Sequence, residues 1–183
     1  NDERYYAKSE LVFGCKAWHL ANDSFNRYKV SFDLAINSVN EASVVLFTFG
    51  EIDCRVYSGI IPFYKKSGVD LVPYINQMVS DYVDYVLEKV GGNNAKIFFQ
   101  GVPQSKNCYS FDDDDIELVQ LVIKEFNRAL SQKTNAEGVG FIDVYSLTND
   151  SCDNNYNLDY HLDNCHLKPE YLQQTISMSN TRI

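Results

Sequence analysis

The chain has 183 residues, 45% of them hydrophobic and 14% aromatic, which suits one packed domain rather than a disordered segment. The formal charge is -9, from 16 basic and 25 acidic side chains, and no basic cluster stands out. A phosphate-tracking nucleic-acid surface is therefore not expected; no apolar run is long enough to span a bilayer, and no charged-then-apolar leader is seen.

Taken in chain order, Ser9–Gly14 (SELVFG) is a short, weak strand candidate. Phe25 to Asn40 follows with Tyr28, Phe32, Ala35, Ile36 and Val39 at near-helical spacing. Ser43–Gly50 (SVVLFTFG) is a nearly continuous apolar run, as expected of a strand covered on both faces. Val69 to Val90 reads as a helix stopped by Gly91 and Gly92. Ala95–Pro103 (AKIFFQGVP) is a second buried strand, Asp113 to Lys133 a further helix, and Gly138–Tyr145 (GVGFIDVY) a third strand. A last helix should begin near Pro169, where proline suits the first turn.

Strand and helix alternate throughout. That pattern predicts a single α/β domain over residues 1–183, a three-layer α/β/α arrangement with a mostly parallel sheet. Ligands in such sheets bind beyond the carboxyl ends of the strands. The segments GEIDCR (50–55), GVPQS (101–105) and the loop holding Asp163 and His166 would share that edge.

The five cysteines, Cys15, Cys54, Cys108, Cys152 and Cys165, form an odd, widely spaced set without a C-x-x-C pair. A structural zinc site or a complete disulfide framework is not expected, and reduced thiols in a cytoplasmic protein are the default reading. The sequons at Asn22 and Asn149 are short enough to arise by chance.

Asp163 and His166 lie three positions apart in LDYHLDNCHLKPE, Leu158 to Glu170. A carboxylate against one imidazole nitrogen fixes the tautomer and leaves the other nitrogen as a general base. Taken alone, D-x-x-H also fits ordinary solvated residues at a helix start. A metal reading exists too, because Asp159, His161, Asp163 and His166 offer four ligands within eight residues. At the end of the first buried run, Glu51, Asp53 and Arg55 concentrate charge, though an exposed Asp–Arg pair would be worth little.

These two stretches together resemble the SGNH (GDSL-like) hydrolases. GEID matches that family's third block, G-x-N-D, at Gly50 and Asp53, and the late D-x-x-H matches its last block at Asp163 and His166. The resemblance runs from Gly14 onward and implies a flavodoxin-like sheet. It also implies an esterase-type reaction through a covalent acyl-serine, His166 serving as base and Asp163 orienting it. Gly14 would be the second-block glycine of the oxyanion site, and Gly50, Glu51, Asp53 and Arg55 would border the substrate. No metal or organic cofactor is implied. A small-molecule or glycan ester is the expected substrate.

Two departures accompany the match. Position 52 is Ile where the family has an oxyanion-binding Asn, and no Gly-Asp-Ser occurs in the chain. Loss of an upstream first block would explain the missing serine, and the initial Asn1 in place of Met is consistent with such truncation. The alternative is a non-catalytic glycan- or protein-binding domain on the same fold. Cys15 as a substitute nucleophile is a remote option. The run Asp112–Asp115 reads as a favourable helix start rather than a calcium loop. Trp18 and His19 read more readily as a buried aromatic and a satisfied histidine than as site residues.

Overall fold

The computed structural model describes residues 8–39, 43–91, 94–104, 113–150, 155–156, 160–163 and 166–171. In chain order the elements are α1 (Ala17–Ala21), α2 (Arg27–Ile36), β1 (Val44–Phe47), a 3-10 turn (Ile52–Cys54), α3 (Ile60–Ser67) and α4 (Leu71–Val90). There follow β2 (Lys96–Gln100), α5 (Asp113–Ala136), β3 (Gly140–Ile142), α6 (Val144–Thr148), β4 (Asn149–Asp150) and β5 (Asn155–Tyr156). The fold is α/β, as expected. Three parallel strands pair in the order β1-β2-β3, with Phe47 opposite Phe99 and Phe99 opposite Phe141. β4 and β5 form a separate antiparallel pair.

Alternation along the strands sends successive side chains to opposite faces of the sheet. Phe47 and Phe99 join the main core, where Ile75, Val79 and Val86 of α4 meet Val122, Phe126 and Leu130 of α5. Leu46 and Phe98 face the other way, into a small cluster with Ile142, Val144 and Leu167. Coverage of the two faces is complete only toward the ends of the strands: Phe47, Phe98 and Phe99 are buried, whereas Val44 is exposed. α4 owes its length to a buried stripe, Leu71, Ile75, Met78, Val79, Tyr82, Val83, Val86 and Val90, at helical spacing. Pro73 falls in its first turn, where the missing N–H breaks no helix bond.

The sequence expectations differ from the structure in particulars. Ser9–Gly14 forms no strand. Leu11 and Phe13 are more than four-fifths exposed, and the chain turns at Gly14, with Cys15 N–H donating to Val12 O at 3.0 Å. β3 stops at Ile142 because the Asp143 carboxylate turns back to cap α6, accepting from Ser146 N–H at 3.0 Å. The helices α1 and α3 are too short to show a periodicity, although Gly68, left-handed at φ 65°, marks the end of α3. Pro169 and Glu170 form a turn leading to a helical Tyr171, and the rest of the helix expected from Pro169 falls outside the described residues. No helix among the described residues is long and apolar enough to cross a membrane.

Candidate active site

Residues 160–163 and 166–168 run side by side as two short antiparallel arms. Leu162 N–H donates to His166 O at 2.8 Å and Lys168 N–H to Tyr160 O at 2.9 Å, with His161 bridged to Leu167. Asp163 and His166 occupy the tip. Asp163 Oδ2 lies 2.7 Å from His166 Nδ1, and Oδ1 accepts the His166 backbone N–H at 2.8 Å. An ionised carboxylate only accepts, so Nδ1 carries the proton and Nε2 is the basic nitrogen. Both side chains are more than half exposed, so water screens the pair and its contribution to stability is small. What the carboxylate supplies is orientation.

The hairpin is anchored through its neighbour. His161 is 6% exposed, with Nε2 2.8 Å from the carbonyl oxygen of Gln104. A carbonyl cannot donate, so His161 Nε2 donates. Gln104 is held in turn by its own N–H, which donates to Thr148 Oγ1 at 2.8 Å. Leu167 packs on the small cluster under β2 and β3. The Asp163–His166 tip therefore stands at the carboxyl edge of the sheet. His161 is buried with Nε2 engaged by the Gln104 carbonyl, which removes that nitrogen from the metal-ligand set considered above; Asp159 lies outside the described residues. Among the described residues no three metal-binding side chains converge.

The first-strand loop reaches the same stretch of chain. Gly50, at φ 121°, leaves room that a Cβ would fill, 2.5 Å from Phe126 Cζ and 3.0 Å from Val102 Cγ2. Val102 is fixed by Asn127, which accepts from its N–H at 2.7 Å and donates to its carbonyl at 2.8 Å. Two residues of chain, about 7 Å at most, separate Val102 from Gln104. The Gly50 loop and the His166 hairpin thus border one short segment after β2.

The other candidates are placed differently. Glu51 and Arg55 pair with each other, Nη2 to Oε2 at 2.6 Å, one turn apart at the surface. Gly14 is exposed in its turn at φ 69°. Asp53 is fully buried and faces the start of α1, with Oδ2 accepting from Ala17 N–H at 2.8 Å and Oδ1 from Trp18 N–H at 3.1 Å. It caps a helix that begins three residues after Gly14. Cys15 is buried, and burial with the nearby Asp53 charge pushes its thiol up to about 12, which disfavours the thiolate a nucleophile needs. His19 Nδ1 accepts the Lys16 N–H at 3.0 Å while its ring stacks on Tyr28, so it is satisfied, as expected. Trp18 is not buried: 41% of it is exposed.

Burial raises the Asp53 carboxyl from 3.8 to about 6, against the pull of the Trp18 and Ala17 amides and the Lys16 charge. A carboxyl raised by folding favours the folded state most when protonated. Its contribution is full below 3.8 and is lost as pH rises through about 6. The difference is worth roughly 3 kcal/mol. Urea denaturation of the protein and of Asp53→Ala should therefore show a stability gap that shrinks by roughly 3 kcal/mol between about pH 3 and about pH 7. A gap that widens over that range would contradict the burial of this carboxyl.

No protein-family model and no curated protein matches the chain. Solved structures do. The chain is similar to an extracellular lipase from Streptomyces rimosus, with 15% identity and a TM-score of 0.46, over 65% of this chain and 59% of the lipase. It is similar also to phospholipase A1 from Streptomyces albidoflavus NA297, with 13% identity and a TM-score of 0.48, over 77% of this chain and 68% of that enzyme. The chain spans less than two thirds of the lipase's length.

Sequence reasoning did not single out Asn127, which fixes the segment after β2, Gly59, which lies close against the Asp53 backbone, or Tyr74. Asn127 sits mid-helix in α5 with no local signal. Gly59 carried one, a glycine directly before the apolar pair Ile60–Ile61.

Proposed function

We propose that this domain hydrolyses or transfers ester-linked acyl groups, with His166 as general base and Asp163 as the carboxylate that orients it. The reading is supported by the doubly held Asp163–His166 pair, whose neighbour His161 is anchored at Gln104 in the segment after β2 that the Gly50 loop also approaches at Val102. In this reading Nε2 of His166 takes the proton from a serine hydroxyl as its oxygen attacks the ester carbonyl. The proton passes to the departing alcohol, and water then releases the acid from the acyl-serine. No Gly-Asp-Ser occurs in these 183 residues, so the reading requires a serine supplied from outside them. Ile52 cannot donate to an oxyanion through its side chain, which leaves that stabilisation, worth a few kcal/mol, to main-chain amides. A carbohydrate ester remains the proposed substrate class.

The rival reading is a non-catalytic binding domain, favoured by the same Ile52 and the same missing block. Asp163→Asn separates them. An amide in place of the carboxylate sets an NH2 group against Nδ1 and favours the wrong tautomer. In the full-length protein, kcat for a short-chain aryl ester should fall about 10^2- to 10^4-fold with KM little changed. An unchanged kcat would overturn the assignment.

A further inference from the structure

Trp18 is the only tryptophan of the chain, and it stands exposed on a helix of five residues. Nothing in the core requires it there. Its backbone is nonetheless fixed, because its N–H donates to the buried Asp53. Two cavities, of about 290 and 240 Å³, share Trp18, Tyr74 and Met78 in their walls. Three common lining residues make them neighbours, and we treat them as two halves of one groove. α4 follows β1 and precedes the parallel β2, so it runs antiparallel to the strands and Tyr74, in its first turn, lies toward their carboxyl edge.

The two halves differ in chemistry. One is walled by Asn22, Asp23, Gln77 and Asp81, and Gln77 Nε2 donates to Asp81 Oδ1 at 2.8 Å. The other is walled by Ile60, Phe63 and the stem of Lys16, with Phe63 stacked on Tyr74 at 4.8 Å between centroids. We infer that this groove binds a neutral pyranoside, the sugar ring laid against Trp18 in the amide- and carboxylate-lined half and an apolar substituent in the Ile60–Phe63 half.

The ligand class follows from the match. A pyranose has a C–H face that packs on an aromatic ring and a rim of hydroxyls that each donate and accept. Carboxylates supply acceptors and carboxamides supply donors, so the polar half answers both needs. A volume near 300 Å³ is at the low end of small-ligand sites and suits a compact ring. An organic cation would meet two carboxylates and two aromatic rings, but also Lys16 in the adjoining half and Lys29, whose Nζ donates to Asn22 O. A purely aliphatic ligand would leave the polar half unmatched. The inference does not depend on His166 acting as a base.

Tryptophan emission reads the groove directly. Octyl β-D-glucopyranoside and octyl β-D-galactopyranoside, below their micellar concentrations, should shift or quench it saturably, and His166→Ala should respond like the parent. Calorimetry should show affinity for the better glycoside falling at least tenfold in Trp18→Ala and in the surface variant Gln77→Ala. Three results would overturn the proposal. These are no saturable change with either glycoside, equal binding of 1-octanol, and tighter binding of octyltrimethylammonium than of both glycosides. Loss of glycoside binding would leave the esterase assignment standing, and loss of ester turnover in Asp163→Asn would leave the groove standing.

Discussion

His166→Ala should lower aryl-ester turnover by the full-length protein about 10^4- to 10^6-fold, since removing the base from a concerted nucleophilic unit costs nearly as much as removing the whole unit. Its melting temperature should hardly move. The imidazole is 62% exposed, and an exposed ion pair contributes at most about 1 kcal/mol. The hairpin is held by main-chain bonds of Leu162 and Lys168 and by the buried His161, none of which uses the His166 ring. Circular dichroism and thermal melts establish that the variant is folded, so the kinetic loss cannot be assigned to unfolding. Turnover within tenfold of the parent would remove His166 from the mechanism.

Gly59→Ala should destabilise the domain by about 3–5 kcal/mol, the sum expected of a strained left-handed residue and an overpacked contact. Gly59 sits at φ 75°, and a Cβ there would lie 2.6 Å from Asp53 O and 2.7 Å from Asp53 Cα. Those are main-chain atoms, so no rotamer change relieves the clash. The 3-10 turn at Ile52–Cys54 would have to move, and with it the carboxylate that holds α1. Gly68→Ala is the control. Its φ is 65°, but nothing lies within 4 Å of the added Cβ, so only the backbone term of about 1–2 kcal/mol should appear. Equal losses in the two variants, by urea denaturation, would contradict the close approach of Gly59 to Asp53.

How much of this was legible in the residues depended on whether the signal was local. The three buried strands and the helices α2, α4 and α5 were readable because each carries its own apolar pattern over enough residues. Ser9–Gly14 has a strand-like composition but pairs with no strand, since pairing is settled by distant chain and not by the segment itself. The Asp163–His166 couple was legible because its partners are three residues apart. His161 was not, because its role depends on a contact with Gln104, 57 positions away. Asp53 stood out as a charge at a strand end. That its two oxygens belong to the amides of Ala17 and Trp18 follows only from the way α1 folds back over the 3-10 turn. Trp18 was read as buried because an aromatic in an apolar stretch ordinarily is; α1 is so short that only Ala17 and Leu20 reach the core.

The central claim is that His166, aimed by Asp163, serves a serine hydroxyl at the carboxyl edge of this sheet. Covalent labelling of the full-length protein by a fluorophosphonate, with the adduct mapped by tandem mass spectrometry, tests it most directly. One serine within a Gly-Asp-Ser sequence upstream of Asn1 should carry the label, and labelling should slow at least a thousandfold in His166→Ala. An adduct on any residue of these 183, or equal labelling of parent and variant, would contradict the account.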